Sequence, residues 1–123
     1  MRGADVIVVA TSAQTPVLMG DWVSPGAHIN AVGAARPDWR ELDDALLAKA
    51  KLFVESRAAA SAESGDVRAA GAIYAEIGEV FGGVRRGRAT ADEITLFKSV
   101  GVAVADIASA ALVMSEYARA GAS

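Results

Sequence analysis

The chain has 123 residues, of which 53% are hydrophobic, and this size and apolar content predict one small domain rather than a disordered chain. It contains no cysteine and only one histidine, His28, which excludes disulfides, thiolate metal sites and cysteine nucleophiles and leaves a zinc site without enough ligands. A net charge of −3 argues against nucleic-acid binding, and the absence of a signal peptide and of an apolar run of about 18 residues predicts a soluble, cytoplasmic protein without a membrane partner.

Three short apolar segments in the first half of the chain are predicted to be strands of a parallel sheet. The segment from Val6 to Ala10 is continuously apolar and β-branched, which is typical of a strand buried on both faces. A short helix or turn is expected over residues 16–23, and residues 28–32 form the next strand. Residues 40–51 are predicted to be a helix with an acidic first turn, and residues 52–56 the third strand. The predicted order is strand, connection, strand, helix, strand. Parallel strands in this order are joined by right-handed crossovers, so the expected class is α/β.

The remainder of the chain, residues 58–123, is predicted to be helical. An alanine-rich helix over residues 58–70 is interrupted near Gly65, and residues 73–81 have apolar side chains at helical spacing. Thr90 and Glu93 have the spacing of a capping box, which predicts a long helix from Ile94 to Tyr117. The chain is therefore predicted to be a single domain with strands in residues 1–57 and helices in residues 58–123.

Four segments resemble the ornithine cyclodeaminase/mu-crystallin family, and its mu-crystallin-like members more closely than the cyclodeaminase. They are ADVIVVATS, PGAHINAVGAARPDWRELDD, GEV and EITLFKSVGVAVADIASAALV. Family members are longer and comprise a dimerisation domain and a Rossmann-type NAD(P) domain. The resemblance covers only the C-terminal part of that NAD(P) domain. It implies a truncated, half Rossmann-like domain with three parallel strands flanked by helices and a long C-terminal helix, without the G-x-G-x-x-G loop that binds the pyrophosphate.

The resemblance also implies cofactor-binding positions at the carboxyl ends of the strands, where open α/β sheets bind their ligands. The turn after the first strand resembles the loop that lies against adenosine and ribose, and the turn after the second resembles the loop near the nicotinamide. Residues 98–101 resemble the segment that closes over the nicotinamide amide. NAD(P) is thus the implied cofactor, and no catalytic residue is identified. The implied cofactor-binding residues are Thr11, Ser12, Val32, Gly33, Ala34 and Ser99.

One position departs from the cyclodeaminase pattern. The cyclodeaminase has a catalytic aspartate directly after its Val-Gly-Gly turn, and the matching residue here is Ala35. Alanine can neither activate water nor shuttle a proton, which argues against cyclodeaminase chemistry. Reductases of the family that use NAD(P)H on imines also lack this aspartate, so the substitution does not exclude their chemistry.

Two functions therefore stay open. One is a non-catalytic, oligomeric binding module with at most a residual nucleotide or small-ligand crevice, and the missing phosphate loop favours it. The other is an NAD(P)H-dependent imine or ketimine reductase completed by another chain. In either case the strand from Val6 to Ala10 should form a sheet edge, and the C-terminal helix should have an uncovered apolar stripe. The members of this stripe are Ile94, Phe97, Val104, Ile107, Ala111 and Leu112. We expect a homo-oligomer, most simply a C2 dimer, through one of these two surfaces.

Overall fold

The computed structural model describes residues 2–121 and contains a five-stranded, wholly parallel sheet flanked by helices. The strands are β1 (Val6–Val9), β2 (His28–Ala31), β3 (Lys51–Val54), β4 (Ala75–Glu76) and β5 (Thr95–Lys98), in the spatial order β1-β2-β5-β3-β4. The helices are α1 (Asp44–Lys49), α2 (Arg57–Glu63), α3 (Gly65–Ala70), α4 (Ile77–Phe81) and α5 (Ala103–Gly121), together with a 3-10 turn at Gly20–Trp22. The predicted α/β class is confirmed.

The core lies on one face of this sheet. Successive side chains of a strand point to opposite faces, so alternate residues such as Ile7, Ile29 and Leu96 face the core together. α1 and α3 pack against each other on this side, and α1 contributes Leu46 and Leu47 to the core cluster. This arrangement leaves the carboxyl ends of the strands beside the loops that connect them to the helices.

β1 lies at the edge of the sheet, as predicted, because it pairs only with β2. The prediction that this strand is buried on both faces is wrong. Ile7 and Val9 are buried, whereas Val6 and Val8 are 61% and 65% exposed. A run of β-branched residues is compatible with a strand buried on one face or on both, so the sequence alone could not distinguish these two cases.

The predicted helix from Ile94 to Tyr117 is wrong over its first part, since Thr95–Lys98 forms β5 and α5 begins only at Ala103. β5 lies between β2 and β3 and pairs with both, which satisfies its backbone groups on two sides. Glu93 is not part of a capping box. Its carboxylate accepts from the Ala89 N–H at 2.7 Å and forms an ion pair with Lys51 at 2.7 Å.

Two other predicted helices are shorter than expected, and the predicted interruption of a third near Gly65 is confirmed. Within residues 40–51 the helix is limited to α1, because the Asp43 carboxylate accepts from the Leu46 N–H at 2.9 Å and caps the helix there, and Lys51 already belongs to β3. Residues 58–70 are divided into α2 and α3 at Ser64, which caps α3. Residues 73–81 contain β4, which pairs with β3, before α4 begins. Two of the five strands thus lie in the region predicted to be wholly helical.

α5 has no buried residue. Val104 and Ile107 are each 69% exposed and Leu112 is 62% exposed, so these members of the predicted apolar stripe are uncovered. Ile94, also predicted to belong to the stripe, is buried in the core cluster. Within residues 2–121, no helix combines the length and apolar character that crossing a bilayer requires.

Candidate functional site

The loops after β1, β2 and β5 meet at the carboxyl edge of the sheet, because these three strands are parallel neighbours. Backbone hydrogen bonds continue the ladder beyond the strands. The Ala34 N–H donates to the Thr11 carbonyl at 2.9 Å, and the Ser99 N–H donates to the Ala31 carbonyl at 2.9 Å. The structure therefore brings together the three loops that contain the predicted cofactor-binding residues.

The six predicted residues differ in what they present at this edge. Thr11, Ser12 and Val32 are exposed and offer their side chains, whereas Gly33 and Ser99 are half-buried. Ala34 is buried and adopts the left-handed conformation with φ of 49°. The six residues are Thr11, Ser12, Val32, Gly33, Ala34 and Ser99.

Close approach of two loops explains the glycine at position 33. A Cβ atom there would overlap the Thr11 carbonyl oxygen and the Glu41 carboxylate. Only glycine lets the turn after β2 lie directly against the turn after β1. The contact between these loops is thus determined by a residue that has no side chain.

A buried carboxylate joins the same two loops. Glu41 is 0% exposed, and its Oε1 accepts from the Thr11 N–H at 2.6 Å and from the Thr11 hydroxyl at 2.8 Å. Its Oε2 accepts from the Gly33 N–H at 3.1 Å. All three partners are donors, which suits a carboxylate, whose oxygens accept hydrogen bonds.

Lys98 supplies the opposite charge beneath the loops. Its ammonium donates to the Gly33 carbonyl and lies 3.5 Å from Glu41 Oε2 and 3.7 Å from Asp66 Oδ2. Asp66 in turn accepts from the Glu41 N–H and the Leu42 N–H, each at 3.1 Å. Burial raises the pKa of Asp66, and the two backbone donors, followed by the charge of Lys98, oppose that rise.

A second carboxylate holds the loop after β5. Glu55 directly follows β3 and accepts from the Ser99 hydroxyl. Its oxygens also accept from the Val100 N–H and the Gly101 N–H, each at a long 3.4 Å. Ser99 therefore has a defined orientation and lies in a loop after a strand, not within a bent helix.

Sequence reasoning missed the charged groups beneath this edge. Glu41 was expected in the first turn of a helix, but it precedes α1 and points into the sheet edge. The available signal was Lys98, a charged residue that directly follows the apolar residues Leu96 and Phe97. A buried lysine requires carboxylate partners, and Glu41 and Asp66 are those partners.

His28 lies at the other end of the strands. Its Nδ1 is 2.8 Å from the Thr95 hydroxyl, and its Nε2 is 3.3 Å from Asn30 Oδ1, on the face opposite the core. With Phe53 and Phe97 it lines a groove beneath α4. No group of histidine and acidic residues in the described part of the chain is arranged to hold a metal ion.

The profile of the ornithine cyclodeaminase/mu-crystallin family matches residues 1–121. The chain belongs to this family. It is 56% identical over 118 residues to the ketimine reductase mu-crystallin of Mus musculus, an alignment that covers 95% of this chain and 37% of that protein. It is 46% identical over 116 residues to a delta(1)-pyrroline-2-carboxylate reductase of Bacillus cereus, with 87% of this chain and 35% of that protein covered.

The fold has matching solved structures. The Thermococcus litoralis delta(1)-pyrroline-2-carboxylate reductase, in complex with NADH and L-proline, superposes with a TM-score of 0.87 at 41% identity, covering 98% of this chain and 40% of that one. An archaeal alanine dehydrogenase dimer with bound NAD gives a TM-score of 0.80 at 39% identity, covering 89% and 36%. The family member described here therefore spans well under half the length of these relatives.

Proposed function

We propose that this chain supplies the C-terminal part of the NAD(P)-binding crevice of a family reductase that acts on imine or ketimine substrates. On this proposal the chain alone does not turn over substrate, and it becomes catalytic only with the rest of the family fold. The observation that supports the proposal most strongly is the meeting of the loops after β1, β2 and β5 at one carboxyl edge. Relatives whose solved structures contain NADH or NAD have a similar fold.

The residues at this edge fit a dinucleotide in their chemistry. Ser12 is exposed and provides a hydroxyl for the ribose side, whereas the hydroxyl of Thr11 already donates to Glu41. Val32 provides an exposed apolar surface for the nicotinamide side. The Ser99 hydroxyl donates to Glu55 and its oxygen accepts from the Gly101 N–H at 3.3 Å, which leaves one acceptor position for an amide N–H. When bound, the nicotinamide would supply the hydride, while these residues bind and orient it.

The pyrophosphate would have to be held by residues outside this sequence. No G-x-G-x-x-G follows a strand, and Gly82 and Gly83 follow the helix α4 instead. The backbone N–H groups of a helix N-terminus provide much of the anion binding in such folds. The chain alone is therefore expected to bind NAD(P) weakly.

We propose in addition that the chain associates with a second copy through the edge of β1 or through α5. The edge strand carries no charge or proline that would block pairing, and two of its residues, Val6 and Val8, are exposed. α5 exposes Val104, Ile107 and Leu112. Sedimentation equilibrium at micromolar concentration tests this association: a dimer is expected, and a monomer at every concentration would contradict it.

Titration with NADH and NADPH, followed by amide NMR, tests the proposed function. We expect a Kd weaker than about 10 μM, with shifted signals confined to the loops of Thr11, Gly33 and Ser99. No shifts at millimolar cofactor would contradict the crevice. A Kd tighter than about 10 μM would contradict the need for the missing phosphate loop.

A further inference from the structure

The most constrained polar group at the carboxyl edge is Glu41, which belongs to neither a strand nor a helix. Its backbone is fixed from both sides. Its carbonyl accepts from the Val17 N–H and the Leu18 N–H, each at 2.9 Å, and its N–H donates to Asp66. With its side chain fully buried as well, Glu41 cannot move without breaking several contacts at once.

The side chain of Glu41 divides its two oxygens between two loops. Oε1 accepts from the backbone N–H and the hydroxyl of Thr11, and Oε2 accepts from the backbone N–H of Gly33. One loop follows β1 and the other follows β2. Thr11 and Gly33 are therefore separated in sequence by β2 and the segment that precedes it. A single carboxylate therefore joins the two loops, beside the backbone hydrogen bond from the Ala34 N–H to the Thr11 carbonyl.

Lys98 is the oppositely charged partner of this carboxylate and holds the second loop from below. Its ammonium lies 3.5 Å from Glu41 and donates to the carbonyl of Gly33. Gly33 is thus held at its N–H by Glu41 and at its carbonyl by Lys98. Both peptide groups that define the turn have charged partners, and such hydrogen bonds are stronger than neutral ones.

We infer that Glu41 is a positioning residue for the cofactor crevice. It sets the distance between the loop of Thr11, on the proposed ribose side, and the loop of Gly33, on the proposed nicotinamide side. Glu41 is fully buried, so it acts through these loops without touching the cofactor. The inference rests on the proposed function, because the two loops need a defined spacing only if they bind two parts of one ligand.

Glu41→Gln is the main test. The glutamine amide has one acceptor oxygen and one donor group, so it can serve Thr11 or Gly33 but not both. We expect the amide signals of Thr11 and Gly33 to move, and NADH binding followed by NMR to weaken about tenfold. Glu41→Asp is the second variant. It keeps the negative charge opposite Lys98 and so favours folding, but it is too short to reach both loops.

Two controls separate positioning from loss of stability. Glu93→Gln removes a carboxylate that pairs with Lys51 at 2.7 Å, near the amino ends of the strands. Val67→Ala removes buried volume from α3, an element that belongs to neither loop. Both are expected to leave NADH affinity within about twofold of the unaltered chain, even though Val67→Ala lowers the free energy of unfolding by roughly 1 kcal/mol.

The outcomes distinguish the inference from the function on which it rests. Weakened NADH binding in Glu41→Gln or Glu41→Asp, together with unchanged binding in both controls, supports the positioning role. Unmoved Thr11 and Gly33 signals, or NADH binding as tight as in the unaltered chain, would overturn it alone. Absence of NADH binding by the unaltered chain would overturn the proposed function and the positioning role together.

Discussion

Replacing Lys98 with methionine is expected to be among the most damaging single changes in this chain. The ammonium lies 3.5 Å from Glu41 and 3.7 Å from Asp66, and all three side chains are 0–1% exposed. At an effective dielectric of about 20, each of these pairs attracts by roughly 4 to 5 kcal/mol, offset by several kcal/mol of desolvation. Methionine retains the volume but leaves buried Glu41 without a cation, and leaves Asp66 with Arg40 alone, whose Nε lies 3.8 Å from Asp66 Oδ1. A loss of about 3 to 5 kcal/mol is expected, which is a large part of the stability of a small domain.

Urea unfolding followed by circular dichroism at pH 7 measures this loss. Lys51→Met is the matched control, because Lys51 also pairs with a carboxylate, Glu93 at 2.7 Å, but both side chains are partly exposed. That variant is expected to lose about 1 kcal/mol or less. A Lys98→Met chain that unfolds within about 1 kcal/mol of the unaltered one would refute the reasoning, because the buried carboxylates would then have no need of the cation.

Three further variants test the turn and the charges beneath it. Ala34→Gly should leave the free energy of unfolding unchanged or raise it by up to about 1 kcal/mol, because alanine is strained at φ of 49°. A free energy of unfolding below that of the unaltered chain, measured in urea, would contradict this. Gly33→Ala should lower the free energy of unfolding by about 1 to 3 kcal/mol and shift the Thr11 amide signal, since its Cβ would overlap Thr11 and Glu41. An unshifted Thr11 signal would count against the close approach of the two turns. Burial raises the pKa of Asp66 above its usual 3.8, so this group takes up its proton more readily in the folded state. Its contribution to the free energy of unfolding should therefore decrease as pH rises from about 3.8 through the higher folded pKa, and Asp66→Asn should remove that decrease from a pH series of urea curves.

The strands of the first half could be predicted because each is a short apolar run between turn residues. β1 and β2 fit that pattern, and their order along the chain gives a parallel sheet. β5 could not be identified in the same way. It has only four residues, too few to separate a period of two from a period of 3.6, and it is followed by a helix-favouring sequence. Its strand conformation depends on pairing with β2 and β3, which are remote in sequence.

The candidate site could likewise be predicted only in part. Thr11 and Gly33 could be named because they lie in turns after predicted strands, and loops of parallel neighbours share an edge. Ser99 was named from the family resemblance alone, in a segment that was predicted to be helical. Glu41 and Lys98 could not be paired from the sequence, because 57 positions separate them and nothing local connects them. Buried charge pairs arise from tertiary packing, so a lone lysine near a strand end indicates that a partner exists without identifying it.

The most direct test of the proposed crevice is to measure proton–proton NOEs between bound NADH and the methyl groups of this chain. Val32 is 45% exposed and belongs to the loop proposed to face the nicotinamide. Contacts from the Val32 methyls to the nicotinamide ring, and from Thr11 to the adenosine ribose, are predicted. Contacts instead to His28 and Phe97, in the groove on the opposite face, would contradict the account.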